Sequence, residues 1–233
     1  MATNVRTAVA NRLGKSGTLS LKKDVFGVYS NVIPPQSRSL LRQMELIQTK
    51  PLVRVVLVTV TDTAANKIPN SQPQRDLDNA NTIYQRECDA WIYCQDTRTR
   101  DRPDLTVFDQ NDCGGVVGGH VVSDDEDELF DLGRDLGANI VRYYIFMSTV
   151  AAGGCAAHPP GRRGFWVGSP PNNNPASPDV AFAHELTHVV GDNAHVSTPA
   201  DNLMTKAKGK LVSSTLTPAQ QTRILADPDM EQP

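Results

Sequence analysis

Residues 177–195 read SPDVAFAHELTHVVGDNAH, a stretch that leaves the backbone few choices. Ser177 suits an N-cap, Pro178 a first helical position, and Asp179 the positive end of a helix dipole. Gly191 suits the stop, because glycine tolerates the left-handed conformation that ends helices. The helix predicted between them carries His184 and His188 four residues apart, hence on one face, with Glu185 beside them. Two neutral imidazoles that reach one ion suit Zn²⁺, which in a catalytic site takes a third protein ligand and keeps one position open. His195, four residues past Gly191, can supply that third ligand without help from a distant segment. Asp192 and Asp201 are its rivals. The plainer interpretation of HELTH alone is two exposed histidines on an amphipathic helix.

The chain continues with Asp201-Asn202-Leu203-Met204-Thr205. HELTHVVGDNAH followed by this turn resembles the metzincin zinc metallopeptidases, whose pattern is HExxHxxGxxH and then a Met-containing turn. HVSTPADNLM is similar to the matrixin version. One extra residue stands between Gly191 and His195, and no Tyr lies two residues after Met204, so a tyrosine fifth ligand is not expected. The resemblance covers residues 177–205 by motif and 51–190 only by the order of elements. It implies that His184, His188 and His195 bind zinc and that Glu185 is the general base of a zinc-dependent endopeptidase acting through a zinc-bound water. Met204 would lie beneath as a hydrophobic floor. The resemblance also implies that Gly164, Phe165, Trp166, Val167 and Gly168 form an edge strand that pairs with an extended substrate, and that a C-terminal helix packs behind the site. Zinc peptidases that take a glutamate from a downstream helix are excluded, because no Glu lies between His188 and Asp229.

The rest of the chain suggests the scaffold. Leu52 to Thr61 (LVRVVLVTVT) is β-branched and reads as a strand. Gln74 to Cys88 sets Leu77, Ala80, Ile83 and Tyr84 at helical spacing, and Trp91 to Cys94, Leu105 to Phe108 and Ile140 to Met147 read as further strands. Ser123 and Glu126 make a capping box that opens a helix to about Gly133. The acidic run Asp124 to Glu128 could suggest a cation site, but reads first as acids of a first turn complementing the helix dipole. Thr217, Pro218 and Gln220 open a last helix. This order predicts an α/β (α+β) fold, metzincin-like by resemblance: a twisted, mostly parallel sheet with an antiparallel edge strand, a zinc-binding helix and a C-terminal helix. Residues 51–233 would be the metallopeptidase domain. Residues 1–50, with Pro34-Pro35 and an amphipathic stretch from Leu40 to Ile47, read as an N-terminal extension or pro-segment. They hold no Cys for a cysteine switch; Asp24 is the acid open to an aspartate version.

Composition removes other classes. Lys and Arg total 23 against 26 Asp and Glu, a net charge of −3, which argues against nucleic acid as the partner. No segment approaches the roughly 20 apolar residues of a membrane span. The first residues lack the apolar core of a secretory signal, although the resemblance favours an extracellular or exported monomer that acts on a protein or peptide. Cys113 and Cys155 beside Gly pairs favour at least one disulfide among Cys88, Cys94, Cys113 and Cys155. His120 and His158 lack ligand spacing. Ca²⁺ is a second metal that the resemblance implies without locating; Asp109 to Asp112 (DQND) reads first as a polar turn. Two alternatives differ in class: a toxin or effector with one protein target, and a non-catalytic zinc-containing binding module. Glu185 speaks against the module, which has no use for a base.

Overall fold

The computed structural model describes residues 49–61, 71–102, 124–132, 141–147, 154–157, 164–169, 180–205 and 214–233. The sequence expectations for Leu40 to Ile47, Leu105 to Phe108, Asp109 to Asp112, Cys113, His120, Ser123, His158 and Ser177 to Asp179 lie outside these residues. Strand β1 (Leu52–Thr61) sits inside a sheet, where a near-continuous apolar run is covered on both faces. Alternation sorts its side chains. Val53, Val55 and Leu57 enter one buried cluster, while Val56, Val58 and Val60 enter another.

β1 pairs in parallel with β2 (Trp91–Asp101) along one side and with β3 (Val141–Met147) along the other. The β3 pairing begins at Val55 of β1. Two further strands, β4 (Gly154–Ala157) and β5 (Gly164–Ser169), extend the sheet past β3. β5 is parallel to β3, β4 is antiparallel to β5, and the order is β2-β1-β3-β5-β4. A final short strand, β6 (Met230–Glu231), runs antiparallel beside Leu52 and Val53. The architecture is therefore mixed α/β, with a mostly parallel sheet and an antiparallel edge strand.

The expectation that Gly164 to Gly168 is the edge strand is corrected: β5 lies between β3 and β4. The physical reason is visible in GFWVG itself. Phe165 and Val167 join one buried cluster and Trp166 the other, so both faces are apolar, as on an inner strand. Phe165 and Trp166 are both core residues, with Phe165 edge-on to Phe182 at 5.1 Å between ring centres.

Four helices complete the described fold. Helix α1 (Ser71–Cys88) buries Leu77, Ala80, Ile83, Tyr84 and Cys88. α2 (Asp124–Asp131) contributes Leu129 and Phe130 to the second cluster. One member of its acidic run faces the core. Glu126 is 1% exposed and its Oε1 accepts the Trp166 Nε1 hydrogen at 3.0 Å. α3 (Ala181–Val189) buries every residue except half-buried His184. Its N-cap is Val180, which makes no side-chain bond. Val180 is buried in the core cluster. α4 (Pro218–Leu225) has the expected capping box between Thr217 and Gln220.

Candidate metal centre

Gly191 follows α3 at φ 89°, and Asp192 continues at φ 48°, so two successive left-handed residues turn the chain. Only glycine fits first. A Cβ at 191 would stand 2.8 Å from the Ile224 nitrogen and 2.9 Å from the Arg223 carbonyl carbon. The Gly191 N–H donates to Asp227 Oδ2 at 2.7 Å, which fixes the turn against the end of α4. The chain then presents His195 to the helix face that carries His184 and His188.

The three Nε2 atoms form a near-equilateral triangle. His184 and His195 are 3.1 Å apart, His188 and His184 3.2 Å, and His188 and His195 3.2 Å. His184 Nδ1 lies 2.6 Å from the Leu203 carbonyl oxygen, and His188 Nδ1 lies 2.6 Å from that of Asn193. A carbonyl only accepts, so each Nδ1 carries the hydrogen and each neutral ring offers a bare lone pair at Nε2. Lone pairs this close repel unless a cation lies between them. Zn–N bonds of about 2.0–2.1 Å at tetrahedral angles place ligand nitrogens about 3.3 Å apart, so the triangle fits that ion. Burial pushes the His184 pKa below its ordinary value, outweighing the Leu203 carbonyl that raises it, and so favours the neutral ligand form. Among the described residues, His184, His188 and His195 are the group that could hold a metal, and neither Asp192 nor Asp201 belongs to it. His188 is buried and His195 exposed, so the triangle opens towards solvent on one side.

Glu185 is buried on α3 next to His184. Burial first, and the negative charge of Glu126 second, push its carboxyl up to about 8. A cation on the histidines would favour the carboxylate and bring that value down. Met204 is fully buried in the turn after the third histidine. Its N–H donates to Asn202 Oδ1 at 2.9 Å, and its carbonyl accepts from Val196 at 3.0 Å. Leu203, in the same turn, holds His184.

Sequence reasoning missed three contributors. Leu203 and Asn193 act through backbone carbonyls, which any residue supplies, so their identity carries no signal. Glu126 hides in a run of acids, and only its position three residues after a capping serine sets it apart. No described helix is long and apolar enough to cross a membrane.

No protein-family model and no curated protein matches the sequence. Among solved structures, the chain is similar to metalloproteinase-II from Bacteroides fragilis, at 11% identity and a TM-score of 0.47. That match covers 74% of this chain and 52% of the other, so the chain spans about half the length of that structure. It is also similar to mirolysin in complex with compound 9, at 12% identity and a TM-score of 0.45, covering 76% of this chain and 91% of that one. Mature mirolysin from Tannerella forsythia with a cleaved peptide gives 12% identity and 0.44, with the same coverage of 76% and 91%. All three TM-scores lie below 0.5, so what the site does rests on its own geometry.

Proposed function

We propose that this chain is a zinc-dependent endopeptidase of the metzincin type its sequence resembles, with His184, His188 and His195 as metal ligands and Glu185 as general base. The observation that carries this is the triangle of three Nε2 atoms at 3.1–3.2 Å, beside a buried carboxyl on the same helix. Zinc, when bound, supplies a Lewis acid that polarises the scissile carbonyl and acidifies water.

The remaining work belongs to the chain. The Glu185 carboxylate takes a proton from the attacking water and delivers it to the leaving amine. The Leu203 and Asn193 carbonyls hold the first two imidazoles in the tautomer that binds metal, so no ring has to reorient. Met204 is the apolar floor. The backbone of β4 takes the place assigned from sequence to β5: among the described residues β5 is its one strand neighbour, and its other side suits an extended peptide. Residues 51–233 form the catalytic unit, and residues 1–50 its extension or pro-segment.

The test is metal content by mass spectrometry on wild type and His195→Ala, with peptide-library cleavage by wild type and Glu185→Ala. One zinc per chain, weakened by the His195 change, with cleavage lost in the Glu185 variant, is the expected result. Full zinc in His195→Ala would move the third ligand elsewhere. Zinc without cleavage by the wild type would leave the binding module, and no zinc would end the proposal.

A further inference from the structure

Bare backbone lies close to the Glu185 carboxyl. Gly154 opens β4, and a Cβ there would stand 2.9 Å from Glu185 Cγ, 3.0 Å from Glu185 Oε1 and 2.8 Å from the Trp166 carbonyl oxygen. Backbone conformation gives no reason for this glycine, because Gly191 is the one described glycine with positive φ. The reason is space.

Two of the walls around that space cannot retreat. Trp166 is fully buried, is paired with Cys155 across β4 and β5, and has its indole held by the buried Glu126 carboxylate at 3.0 Å. α3 is locked by Phe182, Ala183 and Leu186, each no more than 1% exposed. Close-packed interiors transmit a misfit to whichever group can rotate. Here that group is the Glu185 side chain, which has three rotatable bonds and no described backbone bond to hold it.

We propose that Gly154 is a positioning residue: its missing side chain is the slot that seats the Glu185 carboxylate beside the three histidines. This rests on Glu185 acting as the base. A methyl group at 154 would turn the carboxylate aside and leave the His184–His188–His195 triangle intact, because the three atoms nearest that Cβ belong to Trp166 and Glu185 and none to a histidine.

The experiment uses the zinc-loaded protein in four forms: wild type, Gly154→Ala, Glu185→Ala and the double variant. Gly154→Ala is expected to lower kcat by about 100-fold, the scale of a catalytic group misplaced by an ångström. Zinc stoichiometry should stay at wild type and KM should change by no more than about twofold. Independently of activity, Gly154→Ala should lower Tm in the wild-type background and clearly less in the Glu185→Ala background, where Cγ and Oε1 are gone. Folding of the double variant when Gly154→Ala alone fails would support the same contact. Equal Tm losses in both backgrounds, an unchanged kcat, or a kcat loss matched by zinc loss would each overturn the proposal. If the wild type cleaves no peptide, the peptidase assignment fails, and the Tm cycle still decides whether Gly154 seats Glu185.

Discussion

Asn202 and Gln220 bond to each other in both directions, Nδ2 to Oε1 at 2.8 Å and Nε2 to Oδ1 at 3.3 Å. Both side chains are buried. The same Gln220 oxygen accepts the Thr217 N–H at 2.8 Å, and the same Asn202 oxygen accepts the Met204 N–H at 2.9 Å. The glutamine of the α4 capping box therefore also braces the turn whose Leu203 carbonyl orients His184. A helix cap and a metal centre share one amide pair.

Gln220→Ala should thus cost more than a lost cap. The cap contributes about 1 kcal/mol, and stranding buried Asn202 adds about 1–3 kcal/mol, so a loss of about 2–4 kcal/mol is expected in urea unfolding. Zinc affinity should fall by about tenfold, as when a partner that orients a ligand is removed. A loss near 1 kcal/mol with unchanged zinc affinity would mean that the turn stands without its brace.

Gly191→Ala tests the turn that delivers the third histidine. Left-handed backbone at φ 89° costs a non-glycine residue about 1–3 kcal/mol, and the Cβ would meet Ile224 and Arg223 backbone atoms at 2.8 and 2.9 Å. The variant should lose at least that stability and hold zinc more weakly, because the turn must shift and take His195 with it. Thermal unfolding and competition with a chromogenic chelator measure the two effects. Wild-type zinc affinity in a destabilised variant would detach the turn from the metal.

How much of this was open to sequence reasoning follows from how each residue acts. His184 and His188 declare themselves, because helical spacing is fixed and two imidazoles four apart have one common direction. β1 was legible because LVRVVLVTVT is apolar on both faces wherever it lies. β4 was not, because GCAA has no alternation and weak strand propensity, so the edge role fell to the better-looking GFWVG. The Trp166 contact of Glu126 was not legible for a related reason: an acid in an acidic first turn gains from the dipole whether it faces water or core, and only the Trp166 indole decides. Local signals placed what is local; pairing partners decided the rest.

Zinc removal should destabilise the fold. The bare lone pairs of His184 and His188, 3.2 Å apart, are tolerable around a cation and repulsive without one. A ligand that binds only the folded chain adds about 4 kcal/mol at a thousand times its Kd. For a domain of this size that is about 8–16 °C in Tm. Dialysis against a chelator should lower Tm on that scale, and zinc should restore it. His195→Ala should respond much less. A Tm indifferent to chelator would mean that the triangle holds no ion.

Cys88 gives a prediction of pH dependence away from the metal centre. It is a free thiol in the last turn of α1, 6% exposed. Burial first, and the neighbouring Glu87 charge second, push its pKa from near 9 up to about 12. The sign follows from proton counting. Above pH 9 the unfolded chain gives up this proton and the folded chain keeps it, so the folded state binds more protons and stability falls as pH rises. The full contribution is present below pH 9 and is lost between about 9 and 12, at no more than about 1.4 kcal/mol per pH unit for this group. Cys88→Ala should remove that part of the slope. In native protein the peptide carrying Cys88 should stay unmodified by iodoacetamide at pH 8 and react once urea unfolds the chain, since only an exposed thiolate attacks. Rapid native alkylation would show that α1 opens at its C-terminal turn, and the high pKa would no longer describe the thiol in solution.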